Sequence, residues 1–147
     1  MTLTSSAFQD GEMLPKKYTG EGDNKNPPLT IGNPPDGVDS YILIVTDPDA
    51  PMGIFTHWVV WNIPGDTTEI TEGQLPIRSI EGTNSAGKIG YFGAMPPVGD
   101  KAHRYIFSLY AMPITLELDS SVEREYLERA MTDMVLEECS LTGIYQR

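Results

Sequence analysis

Tyr41-Ile42-Leu43-Ile44-Val45-Thr46-Asp47-Pro48-Asp49-Ala50-Pro51-Met52-Gly53-Ile54-Phe55-Thr56-His57-Trp58-Val59-Val60-Trp61-Asn62-Ile63-Pro64 carries two apolar runs joined by a loop rich in Asp, Pro and Gly. The first, Tyr41 to Thr46, is continuous, partly β-branched, and bounded by Asp39-Ser40 and Asp47-Pro48, the pattern of a strand buried on both faces. The second runs from His57 to Ile63. A period of two puts His57, Val59, Trp61 and Ile63 on one face and Trp58, Val60 and Asn62 on the other, both mostly apolar, so a central strand is expected. If the two strands pair through the loop between them, Asp47 and His57 lie at the same end of one sheet.

A second stretch answers the first. Gly90-Tyr91-Phe92-Gly93-Ala94-Met95-Pro96-Pro97-Val98-Gly99-Asp100-Lys101-Ala102-His103-Arg104-Tyr105 is again a Pro/Gly loop that delivers a histidine onto an apolar run. His103 to Met112 alternates as a strand, with His103, Tyr105, Phe107, Leu109 and Ala111 on one face. Two imidazoles and a carboxylate converging at a strand-end cleft form a ligand-site pattern, because loops held by a rigid sheet are where binding groups collect. Asp49 is read more readily than Asp47 as a turn-capping residue.

Elsewhere, Gly and Pro punctuate residues 8–35 and exclude a long helix there. Leu75 to Ile80 is a candidate strand that Pro76 confines to an edge. Ser120-Ser121-Val122-Glu123 matches a capping box, and Val122, Tyr126, Leu127, Ala130, Met131, Met134 and Val135 recur at helical spacing, which predicts one helix over about 121–139 with Cys139 near its end. Ser140 to Arg147 then reads as a turn and a last short strand. Short strands between Gly/Pro turns with one late helix point to a mainly β chain, a β-sandwich around a mixed or antiparallel sheet, in one domain spanning 1–147.

The 147 residues include 21 acidic and 10 basic side chains, for a net charge of −11 that repels nucleic acid and anionic membranes at long range. Lys88, Lys101 and Arg104 flank the second loop, the one place where local positive potential is expected. A single cysteine forms no intramolecular disulfide, and there is neither a signal-peptide pattern nor an apolar stretch of membrane-spanning length, so a soluble cytoplasmic protein is expected. Gly82-Thr83-Asn84-Ser85-Ala86-Gly87-Lys88 imitates a phosphate-binding loop but has Ile89 where a hydroxyl is needed and no helix to follow. No metal-ligand spacing and no Gly-x-Ser-x-Gly elbow occurs, so neither metal nor cofactor is expected.

Taken together, Asp47-Pro48-Asp49-Ala50-Pro51 with His57-Trp58, and Gly90-Tyr91-x-Gly93 through Pro96-Pro97 to His103-Arg104-Tyr105 and Leu109-Tyr110-Ala111, resemble the two signature regions of the phosphatidylethanolamine-binding protein family. That family includes the Raf kinase inhibitor proteins, and the closer likeness is to its short prokaryotic branch. The likeness runs from Phe8-x-Asp10-Gly11 and Pro15-Lys16-Lys17-Tyr18, through Asn26-Pro27-Pro28-Leu29, to Gly143-x-Tyr145-x-Arg147. It implies a β-sandwich with an anion pocket at one end, accepting phosphate, acetate or phosphorylated head groups. By the same resemblance Asp47, His57, Pro96, Pro97, His103 and Tyr105 line the pocket, and Tyr91 and Gly93 shape its rim. Ala94 departs from a proline common in prokaryotic members, and Trp58 from a second histidine in animal members. The chain also stops at Arg147, without the C-terminal helix that borders the pocket in animal members, which argues against phospholipid binding and kinase regulation.

The leading expectation is a non-enzymatic protein that binds a small phosphorylated or carboxylated ligand, with regulation of a protein partner in the manner of a kinase or protease inhibitor, and a homodimer, left open. The alternative is a phosphomonoester or ester hydrolase using Asp47, His57 and His103 as acid/base groups.

Overall fold

The computed structural model describes all 147 residues. Strands β1 (Thr2–Thr4), β2 (Leu29–Gly32), β3 (Ser40–Asp47), β4 (Phe55–Pro64), β5 (Glu69–Ile70), β6 (Ile80–Glu81), β7 (His103–Met112) and β8 (Glu137–Tyr145) and one helix, α1 (Arg124–Met131), make up its regular structure. All pairings within the sheets are antiparallel. A small sheet has the order β1-β2-β5, and a central sheet the order β6-β4-β3-β7-β8.

The apolar run at Tyr41 becomes β3, in the middle of the central sheet, hydrogen-bonded to β4 on one edge and β7 on the other. Its alternation feeds two cores. Tyr41, Leu43 and Val45 join Trp58, Val60, Phe107, Leu109 and the small sheet's Leu3, Leu29, Ile31 and Ile70 in the core between the sheets. Ile42 and Ile44 face the other way, with Val59, Trp61 and Met112, and are covered by Leu127 and Met131 of α1. No helix is long and apolar enough to cross a membrane.

Two irregularities in β4 depart from simple alternation. Tyr41 lies opposite Ile63 and Leu43 opposite Val60, so Trp61 and Asn62 together face Ile42. Asn62 is the residue that absorbs the extra length, with φ at 57°. The bulge shifts Ile63 onto the face of Trp58 and Val60, not that of Val59 and Trp61 as regular period two predicts. Nearer the loop, Val45 opposes Trp58 while Thr46 opposes Thr56, which leaves His57 as an extra residue without a partner.

The expected helix over 121–139 is shorter. Ser120 does not cap it: Asp119 accepts from Ser121 N–H and Oγ, Glu123 is the N-cap without a side-chain bond, and the helix ends at Thr132 before Asp133 turns left-handed at φ 70°. Glu137 to Tyr145, Cys139 included, instead pair with β7 residue by residue. Nine ladder positions outweigh a weak local helical preference, and Leu141 and Tyr145 are buried on the core face. Of the Leu75–Ile80 candidate, only Ile80 enters a strand, the edge strand β6 on β4, while Pro76 stays outside it in the turn closed by the Ser79 N–H on the Pro76 carbonyl.

The left-handed Asn62 also donates from Nδ2 to the Leu116 carbonyl and accepts from the Leu116 N–H, both at 2.8 Å. Asn62→Ala loses both bonds and puts an unsupported side chain at positive φ, so urea unfolding is expected to show a loss of about 2–3 kcal/mol. Asn62→Gly relieves the backbone and is expected to cost about 1 kcal/mol less. Equal losses would show that the backbone conformation contributes nothing.

Candidate anion-binding site

At the end of the central sheet where β3 stops and β4 and β7 begin, a cavity of about 170 Å³ is walled by Asp47, Ala50, Pro51, Phe55, His57, Phe92, Met95, Pro96, Pro97, His103 and Tyr105. Asp47 sits two residues beyond Val45 and shares its face. His103 shares the face of Tyr105 and Phe107 on β7. His57 reaches the same side only because it is the inserted residue. Without the bulge it would pair with Thr46 and point, as Thr56 does, toward Arg124 and α1. Instead its ring lies edge-on to Tyr105, with centroids 5.2 Å apart.

Each imidazole has a defined role. His103 is 1 % exposed, with Nδ1 2.7 Å from Asp47 Oδ2 and Nε2 2.8 Å from Asp100 Oδ2. Burial pushes this imidazole down, but bonds to two carboxylates and their charge outweigh it and raise the pKa above the usual histidine range. Each ring nitrogen faces a carboxylate oxygen, which only accepts, so the arrangement suits a His103 that donates from both nitrogens as a buried cation. His57 differs. Burial holds it below the usual range, and its Nδ1 donates to the Phe92 carbonyl while the Phe92 N–H donates back to the His57 carbonyl at 2.9 Å. A carbonyl only accepts, so in neutral His57 the proton is on Nδ1 and Nε2 carries the free lone pair. The Tyr105 hydroxyl is buried beside Asp47 without a partner at hydrogen-bonding geometry, and burial, then the Asp47 charge and the pull of that carboxylate as a nearby acceptor, raise its pKa, so it stays a phenol.

Six of the eight residues expected at the site, Asp47, His57, Pro96, Pro97, His103 and Tyr105, meet in this wall. Tyr91 and Gly93 do not. The Tyr91 hydroxyl donates to the Tyr18 carbonyl at 2.8 Å, and its ring packs edge-on against Trp58. Gly93 donates to Asn24 Oδ1 at 2.6 Å, and a Cβ there would come within 2.8 Å of the Gly20 nitrogen. Both residues hold the Phe92–Met95 wall from behind. The turn-capping role expected of Asp49 falls to Asp47, which keeps its place in the wall: Asp47 Oδ1 accepts the turn bond from Asp49 N–H, while Asp49 accepts from the N–H, Nε and Nη2 of Arg104 outside the cavity. Arg104 holds the Asp49 carboxyl down at about 2, and its charge is thereby spent outside the cavity.

The sequence reading missed Asp100 and the apolar walls Phe55, Phe92 and Met95. Asp100 had a signal, an acid three residues before a strand-opening histidine; the walls had none beyond their place in the two loops. The chain end secures the far wall, since Arg147 Nε donates to the Pro96 carbonyl at 2.6 Å and Gln146 Nε2 to the Asp100 carbonyl at 2.9 Å. The Asn84 carboxamide accepts from the Ala86 and Lys88 N–H groups, so the phosphate-loop look-alike is a self-satisfied turn.

The family model for phosphatidylethanolamine-binding proteins matches residues 4–146. The chain belongs to the phosphatidylethanolamine-binding protein family. It is 47 % identical over 150 residues to a UPF0098 protein of Pyrococcus horikoshii, covering 97 % of this chain and 75 % of that one. A UPF0098 protein of Methanothermobacter thermautotrophicus is 42 % identical over 152 residues, covering 100 % and 99 %. Among solved structures, a phosphatidylethanolamine-binding protein homologue from Chlamydia trachomatis superposes with a TM-score of 0.93 at 37 % identity, covering 99 % of this chain and 96 % of that one. Escherichia coli YbcL, described as a member of the mammalian family, gives 0.94 at 31 % identity, covering 99 % and 98 %.

The charge pattern has a signature in solution. His103, raised in the fold, adds stability that is complete below the unfolded histidine value of about 6.5 and is lost as pH rises through its folded value. His57, depressed, acts in the opposite sense: stability is lost as pH falls below about 6.5, where the unfolded chain takes up a proton that the fold refuses. NMR titration is expected to show His103 losing its proton at higher pH than His57, and Asp100→Asn to bring the His103 midpoint down. An unmoved midpoint would remove Asp100 from the account.

Proposed function

We propose that this member of the family binds a small oxyacid, the phosphate or carboxylate of a ligand, in the cavity at the end of the central sheet. The observation that carries the reading is a pair of polar atoms without a hydrogen-bond partner on residues of the wall: Tyr105 Oη, buried beside Asp47, and His57 Nε2, left over when Nδ1 binds the Phe92 carbonyl. A buried hydroxyl with no partner costs about 1–3 kcal/mol, which a ligand oxygen would recover. About 170 Å³ is below the range of about 300–1,000 Å³ typical of whole-molecule pockets, so a small anion or one head group is the fitting occupant. The apolar side chains of Phe55, Phe92 and Met95 line the cavity and lower its local polarity, which strengthens the few polar contacts.

Binding is favoured over hydrolysis because the wall contains no Ser, Thr or Cys, and both nitrogens of His103 are already engaged. A role toward a protein partner draws on the mouth of the cavity, where Met52, Ile54 and Val98 are 99 %, 54 % and 77 % exposed on the loops that wall it. Charged substitutions at Met52 and Ile54 are expected to abolish co-purification of such a partner while leaving phosphate binding intact; retention would place its contact elsewhere.

Titration with inorganic phosphate is expected to move the NMR signals of His57 and His103 in the wild type. His57→Ala is expected to abolish the response, and Tyr105→Phe to weaken binding about tenfold. No shift at saturating phosphate would exclude this reading. Turnover of a phosphomonoester that disappears in a folded Asp47→Asn variant would favour the hydrolase.

A further inference from the structure

The charges around the cavity do not suit a fully ionised anion. Asp47 and Asp100 set two carboxylates against the single imidazolium of His103, and both nitrogens of that cation are occupied by them. From the remaining elements packed around His57, β7 supplies the neutral phenol of Tyr105, the Phe92–Pro97 loop supplies a carbonyl and apolar side chains, and the Asp47–Pro51 loop supplies Asp49, already paired with Arg104. No uncommitted cation faces the space. The atom that His57 presents there is a lone pair, because Nδ1 is held on the Phe92 carbonyl, which only accepts. A phosphate dianion would therefore meet a lone pair on one side and a carboxylate on another.

We infer that the pocket takes up its oxyacid together with one proton, held between a ligand oxygen and His57 Nε2. This rests on the binding function proposed above and adds the form in which the ligand is recognised: a phosphate monoanion (dihydrogen phosphate, or a singly protonated phosphomonoester) or a neutral carboxylic acid, or equivalently the more ionised anion with an imidazolium. The proton removes the clash at Nε2, offsets the excess carboxylate charge, and leaves the Tyr105 hydroxyl to donate to a second ligand oxygen. The Phe92 carbonyl is the element that sets this choice. By fixing which nitrogen of His57 bears the resident proton, it makes the cavity face an acceptor until the ligand arrives. Depression of the His57 pKa by burial agrees, since the free pocket stays unprotonated near neutrality and the proton is gained on binding.

The test uses the intact chain and inorganic phosphate. Calorimetry near pH 8.5, where free phosphate is almost wholly dianionic, in two buffers of different ionisation heat is expected to count about one proton taken up per phosphate bound. Between about pH 7 and pH 8, where free phosphate is becoming dianionic, the dissociation constant is expected to rise about fivefold. His57→Gln keeps a polar side chain but offers no basic nitrogen; it is expected to bind phosphate at least tenfold more weakly and to change its pH slope. Should that variant fail to fold, the nitrogen-15 shifts of the wild-type His57 ring serve instead, with Nε2 expected to move on binding while Nδ1 stays protonated. Phosphate bound with no proton uptake and a pH-independent constant would overturn the inference and leave the binding function standing. An unchanged pH slope and affinity in His57→Gln would also overturn it. No phosphate binding at any pH would remove the binding function and the inference with it.

Discussion

Strand β3 has neither a free edge nor a free face: β4 and β7 take its hydrogen-bonding groups, and its side chains from Ser40 to Val45 are buried between two cores. Burial on both sides suits a run of Tyr, Ile, Leu and Val. At the strand's end the apolar run stops, and the next side chain on the inter-sheet face is the carboxylate of Asp47, itself buried. A carboxylate in that position requires partners, and the fold supplies them from β7 and from the loop, as His103 Nδ1 and the Asp49 N–H. The site is thus built where the central strand runs out of apolar residues.

What turns this satisfied pair into a cavity is one inserted residue. The bulge at His57 places a second imidazole on the face of the first, and the His57–Phe92 exchange of hydrogen bonds ties the opposite loop against it. The loop is held from outside by Tyr91, Gly93 and the chain end rather than by its own contacts with the space. Its walls are therefore rigid while two of their polar atoms, on His57 and Tyr105, remain uncommitted.

Long β-rich runs made the central sheet legible from sequence, because β3, β4 and β7 each carry a pattern that no helix could bury. The end-of-sheet position of Asp47, His57 and His103 followed from those strands. What sequence alone did not reveal lies where tertiary pairing overrides local pattern. The helical spacing that ends at Val135 carries the expected helix on to Cys139, but the open edge of β7 captures Glu137 to Tyr145 as a strand. Ile63 changes face because Asn62 bulges, and no period-two count anticipates an inserted residue. The turn bond passes from Asp49 to Asp47 because Arg104, the second residue of β7, is within reach of Asp49 and takes its carboxylate. Tyr91 and Gly93 stand beside the pocket in sequence but behind its wall in space.

The claim at the centre of this account is that His57 Nε2 and the Tyr105 hydroxyl face an oxyacid. A crystal structure of the protein grown with saturating phosphate near neutral pH tests it most directly. The account predicts tetrahedral density within hydrogen-bond distance of both atoms, with His103 still held between Asp47 and Asp100. Water alone between those two atoms, with phosphate absent or bound elsewhere on the surface, would contradict it.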